Sequence, residues 1–511
     1  MESQHSKKKS RKNLSVVSLF TSYGLGDLGV RKAGGDILAM AELDARRCEF
    51  LYLNYPGTSV VGGDLWETKD EVVREVRRKL RGEELFLVIA TPPCQGMSSN
   101  GKGRINKAIR EGKRSERDKR NELVLPALAV IKQLQPLWVV FENAEAMRRT
   151  EIPYKGRSRP ILEVIEEELG PGYAGEAVAV NFASYGVPAN RSRLITIYTR
   201  DLNGIAMLTG RGSLLPPTTH ARPITLREAI GDFEVLDGRT AVASRHDPLH
   251  RVKKVPHYDA VSRTPEGRSA FDNQCRHCGY AGNPTVPGKQ GPHCPCRCEE
   301  CGRLLPRPMM RDRASGEWRI LNCFKTSYRR TAWDKPASTV TKNFMTPSSD
   351  NKLHPDQNRT LSPAEAMRLQ TVHTYDYDWG DHPSDRVLCD ALGEAVPPLF
   401  FEKLTRHLAD ISTGSTGPGM PPYDRDHEPR PATKRADPSR RPVPRKASTR
   451  RQARPAKSRN PSTSDRPGRQ KTRRDRDGGA VPTTEKETKQ GGKWHWRRFP
   501  ARGAHGSPQA T

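Results

Sequence analysis

Between residues 14 and 200 the sequence alternates short apolar runs with longer stretches in which apolar and polar positions are mixed. The apolar runs have the length and the β-branched content of buried strands. They lie at residues 16–20, 37–41, 85–90 and 138–141, with two further candidates near 177–181 and 194–198. The mixed stretches predict helices, the clearest at about 66–81 and 121–134. Strands that alternate with helices predict an open, mostly parallel α/β sheet.

Residues suited to binding or chemistry follow directly after several of the predicted strands. They are Gly24, Glu42, Cys94 and Glu142. In open parallel sheets, ligands bind beyond the carboxyl ends of the strands. We therefore expect these four residues to border one cleft.

The alternation fades after residue 200, which divides the chain into regions of different composition. Residues 201–330 are rich in Pro, Gly, Arg and His and predict a separate, irregular module. Residues 331–411 again have the pattern of ordered helices, one of them starting at the N-cap Ser362. Residues 1–13 form a polar, basic arm. Residues 412–511 contain 25 Lys and Arg against 9 Asp and Glu, and predict a disordered tail that holds nucleic acid without sequence preference.

The charge of the chain narrows the class of partner. The formal net charge is +28 and the isoelectric point is about 9.9, which favours a polyanion, nucleic acid ahead of an anionic membrane. A merely solvated basic surface is the alternative. Neither a membrane-spanning apolar run nor the apolar stretch of a secretory signal is found in the sequence. We expect a cytoplasmic protein, associated with the nucleoid, in a bacterial or phage-infected cell.

Six of the ten cysteines fall between Cys275 and Cys301. Two Cys-x-x-Cys pairs, Cys275 with Cys278 and Cys298 with Cys301, are separated by 19 residues, a spacing typical of a structural zinc site. The alternatives are a cysteine-rich loop without metal, or a site that uses Cys294 or Cys296. A clustered set of this kind favours a reduced, intracellular compartment over a disulfide framework.

Three short motifs contain residues suited to catalysis, and each also has an ordinary structural explanation. Cys94 follows two prolines in a turn, which suits an exposed thiolate, although a lone cysteine is more often a small core residue. Glu142 ends a strand at the expected ligand edge, where it is either a functional acid or a helix cap. Arg191 and Arg193 alternate along a strand and so point to one side, or are a surface pair.

In this order and at this spacing, the motifs resemble those of the DNA cytosine-5 methyltransferase family over about residues 15–200 and 331–405. The resemblance implies a Rossmann-like, class I S-adenosylmethionine-dependent methyltransferase sheet with a smaller, irregular target-recognition domain. It implies a catalytic set of Cys94 as the nucleophile, Glu142, Arg193 and Arg191. It also implies cofactor contacts from Phe20, Gly24, Glu42 at the ribose, Asp64 at the adenine, Pro93 and Glu394.

Several positions depart from the family pattern. They are Ser22 and Leu25 in place of glycine, Ala144 in place of valine, Ala189 and Ala391 in place of glutamine, and Glu394 in place of asparagine. The last of these bears on the affinity for the cofactor and on its identity. We hypothesise that the carboxylate of Glu394 pairs with the ammonium group of S-adenosylmethionine.

The resemblance implies double-stranded DNA as the substrate, a monomer as the acting species, and zinc and S-adenosylmethionine as the cofactors. A cognate restriction endonuclease is a further potential partner. Three other functions stay open: an RNA cytosine-5 methyltransferase, a catalytically silent DNA-binding relative, and a transfer that uses an altered cofactor. The zinc-bearing insert and the long basic tail speak against the first. The presence of Cys94, Glu142 and Arg193 speaks against the second.

Overall fold

The computed structural model describes residues 14–93, 118–284, 295–321, 323 and 326–415. The strands are β1 (Leu14–Leu19), β2 (Gly35–Glu42), β3 (Ser59–Gly62), β4 (Leu87–Ala90), β5 (Trp138–Asn143), β6 (Glu151–Tyr154), β7 (Arg157–Pro160), β8 (Ala174–Asn181), β9 (Ala189–Asn190), β10 (Ser192–Thr199), β11 (Val242–Ala243), β12 (Arg251–Val252), β13 (Met309–Arg311), β14 (Trp318–Ile320) and β15 (Ala337–Ser338). The α-helices are α1 (Asp27–Lys32), α2 (Ala45–Asn54), α3 (Leu65–Leu80), α4 (Val124–Leu134), α5 (Ile161–Leu169), α6 (Leu202–Thr209), α7 (Leu226–Ile230), α8 (Tyr258–Ser262), α9 (Pro363–Leu369), α10 (Asp385–Glu394) and α11 (Pro398–Ser412).

Seven strands form the central sheet, in the order β3-β2-β1-β4-β5-β10-β8. Strands β1 to β5 pair in parallel, and β10 runs antiparallel to both of its neighbours. The strand order reverses direction between β1 and β4, and such a switch point opens a crevice at the carboxyl ends of the strands. The predicted α/β, mostly parallel sheet is confirmed.

The sheet is buried on both faces, as its continuous apolar runs require. Adjacent residues of one strand enter different cores: Val16 packs on one side of the sheet and Val17 on the other. The same alternation holds for Val140 and Phe141 in β5. Because both layers depend on this register, a one-residue slip would exchange the two cores.

Two elements near the edge of the sheet were not predicted. Helix α2 begins after the N-cap Asp44, whose carboxylate accepts the amide of Arg46, and buries Cys48 and Leu51 but leaves Tyr52 exposed. Its apolar stripe is too narrow to stand out in the sequence. Strand β3 is four residues long and lies at the edge of the sheet. Few of its residues are buried, so its sequence lacks the apolar run of a central strand.

The C-terminal helix returns to the first helix of the sheet domain. A side chain at Gly29 in α1 would place its Cβ 1.9 Å from the carbonyl oxygen of Pro398 in α11. Such an approach is open only to glycine. Nearby, Arg359 and Glu365 form a fully buried ion pair beside the Ser362 cap of α9. The close approach of α11 to α1 thus packs the C-terminal segment against the domain that contains the sheet.

Backbone hydrogen bonds join the two ends of the cysteine-rich segment, residues 270–328, at a point called here the neck. The amide of Ala270 donates to the carbonyl of Tyr328 at 2.9 Å, and the amide of Arg330 donates to the carbonyl of Arg268 at 2.8 Å. The segment between residues 270 and 328 therefore leaves and returns at one place. Among the residues that the structure describes, no helix has both the length and the apolar character needed to cross a membrane.

Candidate active site

A cavity of about 940 Å³ opens at the carboxyl ends of the parallel strands. Its lining comes from the loop after β1, the ends of β2, β4 and β5, the start of β10, and the segments around residues 340 and 394. The predicted residues that border it are Phe20, Glu42, Asp64, Pro93, Glu142, Arg191, Arg193 and Glu394. Cys94 lies outside the described residues, but its neighbour Pro93 is at the cavity wall.

The loop after β1 has a strained backbone for its sequence. Phe20 and Ser22 have positive φ angles of 61° and 55°, although neither is glycine. Non-glycine residues adopt this region at a cost of about 1–3 kcal/mol and do so mostly at functional sites. The loop is held by its neighbours, since the amide of Thr21 donates to the carbonyl of Ala41 and the hydroxyl of Thr91 donates to the carbonyl of Phe20.

Glu42 is buried at the end of β2 and is fixed by two backbone amides. Its Oε2 accepts the amide of Ser22 at 2.8 Å, and its Oε1 accepts the amide of Asp44 at 3.0 Å. A carboxylate has about four acceptor positions, so the two amides orient the group and leave capacity for hydroxyl donors.

Asp64 and Gly24 take different places around the same cavity. Asp64 is the N-cap of α3 and accepts the amide of Trp66 through one oxygen, while the residue itself is exposed at the cavity. Gly24 does not line the cavity. Its φ is +73°, a Cβ there would lie 2.6 Å from the ring of Tyr55, and its carbonyl accepts the Tyr55 hydroxyl. Gly24 therefore shapes the loop from behind.

The end of β5 meets the segment that leads to Cys94. The carboxylate Oε1 of the buried Glu142 lies 3.0 Å from the guanidinium Nε of Arg193. The next residue, Asn143, donates from Nδ2 to the carbonyl of Pro92 at 3.0 Å. Strand β5 thus presents an acid to the cavity and also anchors Pro92, two residues before the predicted nucleophile.

Both arginines of the Arg-x-Arg motif border the cavity, but their guanidinium groups have different partners. The motif lies where β9 ends and β10 begins, so simple strand alternation does not describe it. The buried Arg191 donates to the carbonyls of Val340, Gly393 and Glu394, at 3.3, 3.4 and 3.4 Å. Arg191 ties the C-terminal segment to the sheet, whereas Arg193 faces Glu142.

The sulfurs of the four predicted zinc ligands converge. The Sγ atoms of Cys275, Cys278, Cys298 and Cys301 all lie within 4.8 Å of one another. Zinc–sulfur bonds of about 2.3 Å place the sulfurs of a tetrahedral site about 3.8 Å apart, so the set fits one zinc ion. Cys296 is not in this set, and its Sγ lies 3.2 Å from the carbonyl of Trp318. Cys294 is outside the described residues.

Both Cys-x-x-Cys segments form the same turn. The amide of Gly279 donates to the carbonyl of Cys275 at 3.0 Å, and the amide of Gly302 donates to the carbonyl of Cys298 at 2.9 Å. Both glycines have positive φ, 72° and 69°, which explains why glycine follows each pair. The repeated Cys-x-x-Cys-Gly pattern was a signal for paired metal-binding turns that the spacing argument did not use.

Comparison with known proteins decides the family. A family model described as C-5 cytosine-specific DNA methylase matches residues 14–410. The chain belongs to this family. The methylase therefore acts on cytosine C5 in DNA, and the resemblance read from its motifs is confirmed.

Relatives of the methylase match over most of their own length. The Type II methyltransferase M1.HgaI of Avibacterium volantium is 26% identical over 409 residues, which cover 78% of this chain and 99% of the relative. M1.HphI of Haemophilus parahaemolyticus is 28% identical over 409 residues, with 78% and 88% covered. The solved structure of Spodoptera frugiperda DNMT2, as a triple mutant, is 12% identical, covers 77% of this chain and 99% of its own, and has a TM-score of 0.44.

One acidic residue next to the loop after β1 was missed in the sequence. Asp27 begins α1, borders the cavity and is 4% exposed, and its Oδ1 has no hydrogen-bond partner among the described residues. Burial raises the pKa of Asp27 to about 7, and a hydrogen bond with Ser18 opposes this shift. A single acid in a Gly-rich turn has no sequence signal that separates it from an ordinary surface residue.

Substitution of Asp27 by asparagine is expected to stabilise the methylase at high pH. The folded chain keeps the Asp27 proton up to about pH 7, whereas the unfolded chain loses it near pH 4. The stability contributed by this group is therefore complete below pH 4 and is lost as the pH rises through 7. Urea unfolding from pH 5 to pH 8.5 should show the advantage of Asp27→Asn growing to at most about 4 kcal/mol. An advantage that does not change with pH, or one matched by the exposed-site control Asp36→Asn, would contradict this account.

Proposed function

We propose that the methylase transfers a methyl group from S-adenosylmethionine to C5 of a cytosine that is flipped out of a short, specific DNA sequence. The observation that carries the proposal is the convergence of Glu42, Glu142, Arg193 and the Pro92–Pro93 turn on one cavity. A cytosine inside a stacked duplex is out of reach of such a cavity, so the base must leave the helix.

We assign the base-binding roles to Glu142 and Arg193. Glu142 bonds the N3 and N4 edge of the cytosine and neutralises the charge that develops there, and Arg193 supports the O2 side. Their ion pair holds both groups in place before the substrate arrives. Asn143 positions the preceding turn through Pro92 and so acts on the nucleophile indirectly.

We assign nucleophilic attack to Cys94. Its thiolate forms a bond to C6, and the electron pair of the C5–C6 double bond then makes C5 nucleophilic. S-adenosylmethionine supplies the electrophilic methyl group. Loss of the C5 proton to a base restores the double bond and expels the thiolate, so the cysteine is regenerated.

We assign cofactor binding to the other side of the cavity. Glu42, held by two amides, is oriented for the ribose hydroxyls, and the exposed Asp64 lies one strand further along for the adenine. Phe20 and Pro93 are apolar walls at the ends of β1 and β4. Arg191 fixes the segment of Glu394 against the sheet. Gly24, with its positive φ, determines the backbone path of the loop after β1.

We propose that residues 201–330 form the target-recognition region and that one zinc ion, bound by the four converging cysteines, supports it. Residues 331–411 complete the catalytic domain, and the basic segments 1–13 and 412–511 hold DNA non-specifically. We also propose a cytoplasmic, nucleoid-associated monomer. The Type II names of the relatives support a cognate restriction endonuclease as a partner of this chain.

A methylation map tests the function. The methylase is expressed in a bacterial host that lacks cytosine methylation, and the DNA is sequenced after bisulfite conversion. Protected cytosines within one short motif are expected. If protected cytosines are found only in RNA, the protein is an RNA cytosine-5 methyltransferase. If cytosine is modified only with a different cofactor, the reaction is a transfer that uses an altered cofactor.

Replacement of Glu142 by glutamine is expected to slow methyl transfer by about 100- to 1,000-fold. The amide keeps the size of the side chain but neither carries the charge that faces Arg193 nor exchanges a proton with the base. Single-turnover transfer of a labelled methyl group measures the effect, and Glu163→Gln on the exposed side of α5 is the control. A rate within threefold of wild type would remove Glu142 from the mechanism.

A further inference from the structure

Glu394, the acid that stands where the family has asparagine, is not a lone charge. Its Oε2 lies 2.7 Å from the guanidinium Nη2 of Arg47 and accepts the hydroxyl of Ser22 at 3.2 Å. Its Oε1 forms an ion pair with Lys342. The carboxylate is therefore bound by two cations that come from segments about 350 and 50 residues away along the chain.

The same two cations reach the neighbouring acids. The Nη1 of Arg47 is 3.6 Å from Oε1 of Glu42, and the Nζ of Lys342 is 3.9 Å from Asp390. Arg47 also lies over the ring of Tyr23, 5.4 Å from its centroid. The result is a row of alternating charges, Glu42, Arg47, Glu394 and Lys342, along one wall of the cavity.

Backbone packing holds the charged side chains of this row next to one another. A Cβ at Gly393 would lie 2.2 Å from the amide nitrogen of Lys342, so the chain at Lys342 passes directly over the end of α10. This approach places Lys342 next to Glu394. Arg47 is fixed from the other side by the first turn of α2, whose N-cap is Asp44.

The row begins at Glu42, the acid assigned to the ribose, and ends at Lys342. Ser22 joins its two acids, since its amide donates to Glu42 and its hydroxyl donates to Glu394. The part of S-adenosylmethionine that lies beyond its ribose and sulfur is an amino acid, with one ammonium and one carboxylate group. A zwitterion can insert into an ion pair without changing the net charge of the site. Its carboxylate takes the place of the side-chain acid at the cation, and its ammonium group takes the place of the side-chain cation at the acid. Arg47 and Glu394 are each about a fifth exposed and Lys342 about a third, so each pair is open to the cavity on one side, where the ligand charges can replace it.

We propose that Lys342 and Arg47 bind the carboxylate of the methionine end of the cofactor, with Glu394 as the partner of its ammonium group. The proposal rests on the cofactor assigned above. It adds two positively charged residues that no motif indicated, and it explains why an acid is tolerated at position 394. The two cations compensate its charge when the site is empty, and they take the ligand carboxylate when it is filled.

Two cofactors that differ only in the carboxylate test this subsite. Isothermal titration calorimetry measures the binding of S-adenosylmethionine and of its decarboxylated form to the full chain. Wild type is expected to prefer S-adenosylmethionine by at least about tenfold, the scale of one charged hydrogen-bonded contact. Lys342→Gln and Arg47→Gln should each weaken the binding of S-adenosylmethionine by about tenfold and leave the decarboxylated form unchanged. Lys342→Arg should restore the preference.

Lys132→Gln is the matched control, because it also removes an ion-paired lysine, the partner of Glu168 at 2.7 Å, and Lys132 is not among the residues that line the cavity. It should behave as wild type with both compounds. If Lys342→Gln weakens the binding of both compounds equally, Lys342 has a structural role only, and the proposed subsite is wrong. It is also wrong if the binding of both compounds is unchanged. If wild type binds neither compound, the cofactor assignment fails, and the subsite fails with it.

Discussion

Cys94→Ala will abolish DNA methylation while the variant continues to bind DNA. Without the thiolate there is no bond to C6, and C5 of cytosine is then too weak a nucleophile to be methylated. The loss of a covalent nucleophile of this kind costs roughly 10⁴-fold or more in rate. Bisulfite sequencing of host DNA, beside a DNA-binding assay on the purified variant, measures the two properties separately.

A trapped adduct tests the same step chemically. DNA with 5-fluorocytosine carries fluorine where the last step removes a proton, so the thiolate cannot be expelled after methyl transfer. Wild type should form a denaturation-resistant complex with this DNA, and Cys94→Ala should form none. Cys323→Ala removes a buried thiol outside the cavity lining and should behave as wild type. An adduct in Cys94→Ala would assign the chemistry to another residue.

Loss of zinc will unfold the cysteine-rich module and abolish sequence-specific methylation. The module has a small apolar core, in which buried Cys275 and Cys298 pack with Leu305. A core of this size cannot offset its own chain entropy, whereas a structural zinc ion contributes about 10–16 kcal/mol in comparable peptides. Cys298→Ser should therefore lose the metal, and protease cleavage between residues 270 and 328 should become rapid.

Metal analysis with a paired control separates ligation from simple loss of a thiol. Wild type should contain one zinc ion per chain, and Cys296→Ser should retain it, because the Cys296 sulfur contacts the carbonyl of Trp318 and lies apart from the four. Stoichiometric zinc in Cys298→Ser would contradict the assigned ligands. Chelated protein that keeps full sequence specificity would refute the supporting role of the metal.

Much of the fold and of the site was predictable because a few strong signals agree. Apolar runs of strand length located the sheet, and the candidate side chains Glu42 and Glu142 end those strands, so topology places them at one edge. The convergence of the four cysteines was predictable for another reason, since Cys-x-x-Cys spacing is typical of a structural zinc site.

The remaining features depend on contacts between distant segments, for which a single sequence has no local signal. Arg47 and Lys342 have ordinary surroundings in the sequence and acquire a role only where α2 and the segment before α10 meet at Glu394. Arg191 seemed equivalent to Arg193, but the break between β9 and β10 directs it to carbonyls of the C-terminal segment. Helix α2 and strand β3 were missed because they bury too little to impose a clear apolar period.

The neck formed by residues 268–270 and 328–330 has an evolutionary consequence. Because its two strands are hydrogen-bonded to each other, the cysteine-rich segment begins and ends at the same point in space. A gene can acquire or lose such a segment in one in-frame event, since the flanking chain needs only a short turn to close the gap. The proposed target-recognition region can thus exchange this segment as a cassette, without a series of substitutions in the proposed catalytic domain.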